Sequence, residues 1–148
     1  MKLSNDYVLA PDRTYVWWAT WPSARPAKEV ILDALSKFPY AGGSSVLAVP
    51  VLNSSSDLGT NGVIYPLRPL VVENVLAELA HIGASSAQVH EWPDNLAGRI
   101  ARGYWDRTIK TGIDTQRSID EIGASSRSLL FRLGVLSAVA LGVFLAVR

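Results

Sequence analysis

The feature that most constrains this chain is an apolar run near its C-terminus, from Leu129 to Val147, interrupted only by Arg132 and Ser137. As a helix this run would rise roughly 28 Å, at about 1.5 Å per residue, which matches the hydrocarbon core of a bilayer. The sequence therefore predicts a transmembrane anchor over 129–148. The alternative is a buried helix of a soluble protein, but globular helices rarely lack a polar face over so many turns.

The charges around this run predict its orientation. Arg132 shortens the uninterrupted stretch, so we expect its guanidinium to extend to the headgroups while its stem stays in lipid. Arg127 and Arg132 lie on the N-terminal side of the run, whereas Arg148 is alone on the other side. The first residues lack the apolar core of a signal peptide. The positive-inside rule then predicts a single-pass, tail-anchored protein with its N-terminal domain in the cytoplasm, or inside a virion that has an internal membrane.

Small residues recur at every fourth position of the predicted span: Gly134, Ala138, Gly142 and Ala146. This spacing puts them on one face of a helix, where they would let a second helix approach closely in lipid. The sequence therefore predicts a helix-packing face, although glycine and alanine are also simply frequent in membrane spans. The partner helix could belong to a second copy of this chain or to another protein.

Length and composition exclude several classes of protein. The chain has 148 residues, which is enough for one domain of about 90 residues, a connection and an anchor. Its formal net charge of +1 gives no reason to expect a nucleic-acid partner. Cysteine is absent, which rules out disulfides, thiolate nucleophiles and cysteine-ligated metal sites.

The N-terminal part alternates between strand and helix patterns. Runs of β-branched and aromatic residues that end at proline predict strands, and apolar residues at helical spacing predict helices. Gly83 is placed to end the second helix. The segments are a strand over 14–21, a helix opened by 23–26 and stopped at Pro39, strands over 45–52 and 63–67 around a polar loop at 53–62, a helix over 70–82, and a strand over 87–92.

This order of elements, strand-helix-strand-strand-helix-strand, resembles the ferredoxin-like split βαββαβ arrangement. The resemblance covers roughly residues 12–93 and involves no family motif. It implies an α+β domain over 1–93, with two helices on one face of a four-stranded antiparallel sheet. In that topology the second strand is an edge strand, which suits Pro50 because proline has no N–H to donate to a neighbouring strand.

The first strand carries tryptophans on both of its faces. Trp17 and Trp21 share one face and Trp18 lies on the other. Because a solvated sheet face is normally polar, we expect Trp17, Trp18 and Trp21 to include a surface for a partner. The equally weighted alternative is that both faces are covered within the chain.

Residues 94–128 are predicted to form an amphipathic helical connector, with Leu96, Ile100, Ile109, Ile113 and Ile122 on its apolar side. Its glycines, at 98, 103, 112 and 123, predict breaks. Tyr104 and Trp105, together with Arg127, Arg132 and Arg148, are candidate membrane-interface residues. The alternative is an ordinary solvated helix, because acidic residues nearly offset the basic ones.

The sequence offers little chemistry. His81 and His90 lie on different elements, and neither has a second donor at metal-ligand spacing. Gly42 and Gly43 precede a strand rather than a helix, which is the wrong context for a phosphate-binding loop. We therefore expect no catalytic residues, no metal, no cofactor and no small-molecule substrate.

Together these patterns predict a non-enzymatic, membrane-anchored structural subunit that acts by protein–protein contacts. The expected partners are the lipid bilayer and other membrane, capsid or complex subunits, possibly itself, with no nucleic acid. The setting could be a cellular membrane complex or a bilayer-containing virion. One alternative is a pore-forming or lysis factor, and a further one is an RNA-binding or enzymatic ferredoxin-like domain.

Overall fold

The structure, a computed structural model, describes residues 1–38 and 46–121. Within these ranges no helix is both long and apolar enough to cross a bilayer. The predicted span at 129–148 lies outside the described residues. Outside them too are the predicted packing face, at Gly134, Ala138, Gly142 and Ala146, and the predicted interface residues Arg127, Arg132 and Arg148. The chain divides into two compact units, Met1–Asp106 and Arg107–Arg148.

The first unit is an α+β domain built on a four-stranded antiparallel sheet, as predicted, and a third helix begins within it. The strand order is β3-β4-β2-β6, and the two short strands β1 and β5 pair with each other. The elements are β1 (Val8–Leu9), β2 (Tyr15–Thr20), α1 (Lys28–Ala34), β3 (Ala48–Ser55), β4 (Gly59–Pro66), β5 (Leu70–Val71), α2 (Val72–His81), β6 (Ser86–His90) and α3 (Leu96–Glu121).

The two edges of the sheet differ in what limits further strand pairing. Strand β3, which contains Pro50, is an edge strand, so that prediction is confirmed. At the other edge the N-terminal residues run along β6: Leu3 N donates to Val89 O at 2.9 Å, and Glu91 N donates to Met1 O at 3.0 Å. This pairing covers the C-terminal end of the open edge of β6, which would otherwise invite pairing with another chain.

The prediction of a polar loop over 53–62 was wrong. Strands β3 and β4 extend through most of it, with Ser54 paired to Asn61 and Ser55 to Thr60, and a register shift lies between Leu52 and Ser54. The connection is a tight turn in which Ser56 N donates to Gly59 O at 2.7 Å. Polar side chains are compatible with a strand when backbone pairing satisfies the main chain, so their composition alone was a poor guide.

Both helices of the domain are shorter than predicted. Helix α1 begins at Lys28 rather than at 23–26. Leu70 and Val71 pair with β1 before α2 begins, and Val72 N donates to Tyr7 O at 2.9 Å. Helix α2 ends just before Gly83, whose φ of 104° is accessible to glycine at little cost.

The predicted breaks in the connector were also wrong within the described residues, because α3 is continuous from Leu96 to Glu121. Asn95 caps its start, with Oδ1 accepting a hydrogen bond from Gly98 N at 2.8 Å. A Cβ at position 98 would lie 2.0 Å from Pro93 O. Gly98 therefore allows a close approach of the helix to the preceding turn, and it does not interrupt the helix.

The main hydrophobic core lies between the sheet and helices α1 and α2. From β2 it takes Tyr15, Trp17 and Ala19, and from the helices it includes Ile31 and Leu79. On the second side of the sheet there are further buried residues, Val49, Val51, Val63 and Tyr65. The second side is therefore not a wholly solvated face.

Candidate functional site

The structure separates the three tryptophans of the predicted partner surface. Trp17 is fully buried and its Nε1 donates to Val63 O at 3.2 Å. Trp21 is also buried, and its Nε1 donates to Thr60 Oγ1 at 3.0 Å. Strand alternation directs these two side chains to the helix-covered side, where their polar nitrogens have partners within the domain. As a correction to the prediction, Trp17 and Trp21 are core residues that offer no surface to a partner.

Trp18 remains as an accessible aromatic on the second side, with 42% of its surface exposed. Its ring lies 5.7 Å from the ring of His90, centroid to centroid, and His90 Nε2 lies 3.0 Å from Gln88 Oε1. Burial lowers the pKa of His90, and the positive charges of the N-terminus and Lys2 lower it further. Trp18 therefore lies in a polar, partly buried setting.

Three exposed apolar side chains lie at the start of α3. Leu96 is 68% exposed, Ile100 is 62% exposed and Tyr104 is 41% exposed. Their four-residue spacing puts them on one face of the helix, which we call the α3 stripe. The ring of Trp105, which is half-buried, packs edge-on against Tyr104 with centroids 5.5 Å apart. Of the two predicted interface aromatics, Tyr104 is thus the more accessible.

Sequence reasoning had placed Leu96, Ile100 and Ile109 on one apolar side, whereas the structure divides them. Ile109 is buried while Ile100 is exposed. The two residues are nine positions apart, which at about 100° per residue puts them on opposite sides of a helix. The signal was therefore present in the spacing, but the expected breaks at glycine obscured it.

Polar contacts fix the first turns of α3 to the sheet. Asp106 Oδ1 accepts hydrogen bonds from both Thr14 N and Thr14 Oγ1, each at 2.6 Å. Thr14 Oγ1 also accepts a hydrogen bond from Trp92 Nε1 at 3.0 Å. Because one carboxylate serves two donors at the residue that precedes β2, the orientation of the stripe relative to the sheet is well defined.

A polar cleft of about 290 Å³ lies beside the start of α3. Its basic residues are Arg13, Arg99 and Arg102, and its other lining residues are Glu91, Trp92, Pro93, Asp94 and Gly98. We call it the arginine cleft. Sequence reasoning missed the cleft, because Arg13 is far from Arg99 and Arg102 in the chain.

A small network forms one wall of the arginine cleft. Arg13 Nη2 lies 3.4 Å from Glu91 Oε1, and the same oxygen accepts a hydrogen bond from the Tyr7 hydroxyl at 3.2 Å. The Arg13 guanidinium carbon also lies 5.1 Å from the centroid of the Tyr15 ring. Burial, together with the neighbouring Tyr15 and Glu91, raises the pKa of Tyr7. The Tyr7 hydroxyl is therefore held in its neutral form, as a donor to Glu91.

Within 1–38 and 46–121, no group of three or more histidine, cysteine, aspartate or glutamate residues could hold a metal ion. His81 ends α2 and His90 ends β6, so the structure keeps the two histidines on separate elements. Comparison of the chain with protein-family models, with curated proteins and with solved structures found no match.

Proposed function

We propose that this protein is a membrane-anchored assembly subunit, whose α+β domain works through contacts with other proteins at a lipid surface. The observation that carries the proposal is the α3 stripe, an exposed apolar face on the helix that leads toward the apolar run at 129–147. The strand order β3-β4-β2-β6 supports assigning the domain to the ferredoxin-like split βαββαβ arrangement.

The α3 stripe is costly to leave in water. Burying a large aliphatic side chain contributes about 1.5–3 kcal/mol, and the stripe presents Leu96 and Ile100 together with the ring of Tyr104. Isolated exposed apolar residues are normal, but three on one helical face are typical of a surface that contacts lipid or a partner. The tyrosine suits the membrane interface, where its ring can lie in the apolar layer and its hydroxyl in the headgroup layer.

The charges around the stripe favour a lipid surface. Arg99 follows Leu96 by three positions and Arg107 follows Tyr104 by three, so both adjoin the stripe on the helix, and both are exposed. Exposed basic residues beside an apolar face are typical of helices that lie on anionic headgroups. We infer that the first turns of α3 hold the domain against the cytoplasmic leaflet, or against the inner surface of a virion membrane.

The remaining assignments are proposals from the sequence. The run at 129–147 would anchor the chain, and its face at Gly134, Ala138, Gly142 and Ala146 would receive a helix of another subunit or of a second copy. In the domain, Trp18 is the tryptophan of β2 that a protein partner could reach. Acting through contacts, such a subunit would need neither substrate nor cofactor.

The test separates the anchor from the stripe. The full chain should remain with membranes after high-salt and alkaline washes, whereas a chain truncated after Ser128 should be released. Leu96→Ser in the truncated chain should lower its residual binding to anionic vesicles by about threefold or more, because the stripe loses part of its apolar surface. The matched control is Leu58→Ser, since Leu58 is a similarly exposed leucine in the β3–β4 turn.

Two results would contradict the proposal. If the truncated chain stayed with membranes after the high-salt wash, the anchor would lie elsewhere. If Leu96→Ser and Leu58→Ser lowered vesicle binding equally, the stripe would have no special role.

A further inference from the structure

We propose that the arginine cleft binds a phosphate group, carried either by a lipid headgroup or by a free phosphate ligand. The headgroup source rests on the proposed function, because it requires the domain to lie on a membrane. Binding of a free phosphate ligand does not depend on the proposed function. The cleft is formed by Arg13 just ahead of β2, the turn after β6 and the first turns of α3, all within the first unit.

Positive charge exceeds negative charge in the cleft, and part of it is unpaired. Arg13, Arg99 and Arg102 line it against two carboxylates, Glu91 and Asp94. Glu91 is engaged by Arg13 and by the hydroxyl of Tyr7. Among the residues that the structure describes, the side chains of Arg99 and Arg102 make no hydrogen bond or ion pair. Two guanidiniums thus line the cleft with their donors free for an anion.

Arg13 also carries a hydrogen-bond donor that has no acceptor in the described part of the chain. Arg13 Nε is buried and has no hydrogen-bond partner within the described ranges. A buried N–H without an acceptor is unfavourable, and buried polar groups in native proteins are nearly always satisfied. An oxyanion could reach this N–H only after the surrounding side chains shift, so its oxygens would first meet the guanidiniums of Arg99 and Arg102.

The lining matches the charge and the shape of a phosphate group. The planar fork of a guanidinium matches two oxygens of one phosphate, and the two free forks of Arg99 and Arg102 can share a tetrahedral group. The Asp94 carboxylate can accept a hydrogen bond from a hydroxyl next to that phosphate, so a hydroxylated phosphate ester fits both charges. A volume of about 290 Å³ has room for such a headgroup.

The position of the cleft fits a lipid source. Arg99 is adjacent in sequence to Ile100 of the α3 stripe, and Arg102 lies between Ile100 and Tyr104. The same three turns of helix therefore carry both the arginines and the apolar face. A headgroup bound at the arginines would leave its acyl chains beside the stripe, in the layer where the proposed function places it.

The experiment uses the full chain in a neutral detergent and in vesicles. In detergent, calorimetry with inorganic phosphate and with glycerol 3-phosphate measures the cleft without a membrane. Flotation with phosphatidylcholine vesicles, with and without phosphatidylglycerol, measures the headgroup. The double variant Arg99→Gln, Arg102→Gln should weaken phosphate binding by about tenfold or more, because charge-assisted hydrogen bonds are lost.

The matched control is Arg117→Gln, which removes the same charge from the same helix at an exposed position outside the cleft. It should leave phosphate binding within about twofold of the unsubstituted chain, since surface charges some distance away are screened. Circular dichroism and thermal unfolding establish that both variants fold. Equal weakening by Arg117→Gln would show general charge attraction and would overturn the cleft.

The outcomes distinguish the two sources and the two proposals. Binding of glycerol 3-phosphate together with a cleft-dependent preference for phosphatidylglycerol supports the headgroup. Binding of the free ligands with no cleft-dependent vesicle preference supports a soluble phosphate ligand. No binding of either, in a folded chain, overturns the cleft while the alkaline-wash test of the anchor still stands. If the alkaline wash releases the full chain, the anchor is contradicted, and calorimetry with the free phosphate ligands can still confirm the cleft.

Discussion

Helices α2 and α3 carry apolar stripes of similar spacing with opposite surroundings. Val72, Val75 and Leu79 of α2 are fully buried in the main core. Leu96 and Ile100 of α3 are both more than half exposed. An apolar stripe therefore identifies a helix face that avoids water, but it does not say whether the domain itself provides the cover.

The difference follows from how each helix is attached. Helix α2 packs against β6 and α1 through its apolar face, so its stripe becomes core. The first turns of α3 are attached by other means: the close approach of Gly98 to Pro93 and the hydrogen bonds of Asp106 to Thr14. These contacts use small and polar residues, so the α3 stripe stays exposed within the described part of the chain. The proposed function assigns this exposed face to a lipid surface.

The largest expected effect tests the comparison directly. Leu79→Ala should lower the free energy of unfolding by about 2–5 kcal/mol, because it leaves a cavity in the core. Ile100→Ala should change it by less than about 0.5 kcal/mol, since Ile100 is exposed and alanine is a good helix former. Urea unfolding of the full chain in neutral detergent measures both. A loss of more than about 2 kcal/mol for Ile100→Ala would mean that the stripe is buried in the folded chain.

A matched pair of glycines on α3 should give a smaller and opposite pair of effects. A Cβ at Gly98 would meet Pro93 O at 2.0 Å, whereas a Cβ at Gly103 would meet nothing within 4 Å. Gly98→Ala should therefore destabilise the domain by about 1–3 kcal/mol. Gly103→Ala should stabilise it by about 0.5–1 kcal/mol, because alanine loses less entropy in a helix. Thermal unfolding compares them, and shifts of the same sign would contradict the packing of α3 described here.

Much of the fold could be predicted because local signals and tertiary structure agreed. The β-branched and aromatic run of β2, the edge position of Pro50 and the helix end at Gly83 each follow from backbone chemistry. The prediction was wrong where composition and pairing diverged. Polar residues at 53–62 were assigned to a loop although they pair as strands, and Gly98 was assigned to a break although it serves a close contact.

The candidate sites could be predicted only in part, for a physical reason. Tyr104 and Trp18 were found because a single helix or strand pattern marks them. Which of Trp17 and Trp18 is buried depends on which side the helices cover, and one strand does not contain that information. The arginine cleft joins Arg13 to residues at 91–102, so only the tertiary fold brings its charges together.

The smallest expected effect concerns His90, which is partly buried beside Trp18 and so is intermediate between the buried stripe of α2 and the exposed stripe of α3. Burial holds its pKa below the ordinary value of 6.5, so the unfolded chain takes up a proton more readily than the folded one. The stabilisation from neutral His90 is then fully present above pH 6.5 and is lost as the pH falls toward the lower pKa of the folded state. Unfolding measured between about pH 7.5 and pH 5.5 should show this decline, and His90→Gln should flatten it. The control is His81→Gln, at the end of α2, which should leave the decline in place. A decline that His90→Gln left unchanged would assign the pH dependence to other groups. His90 would then titrate as an exposed residue does, and it would resemble the exposed residues of α3 and not the buried residues of α2.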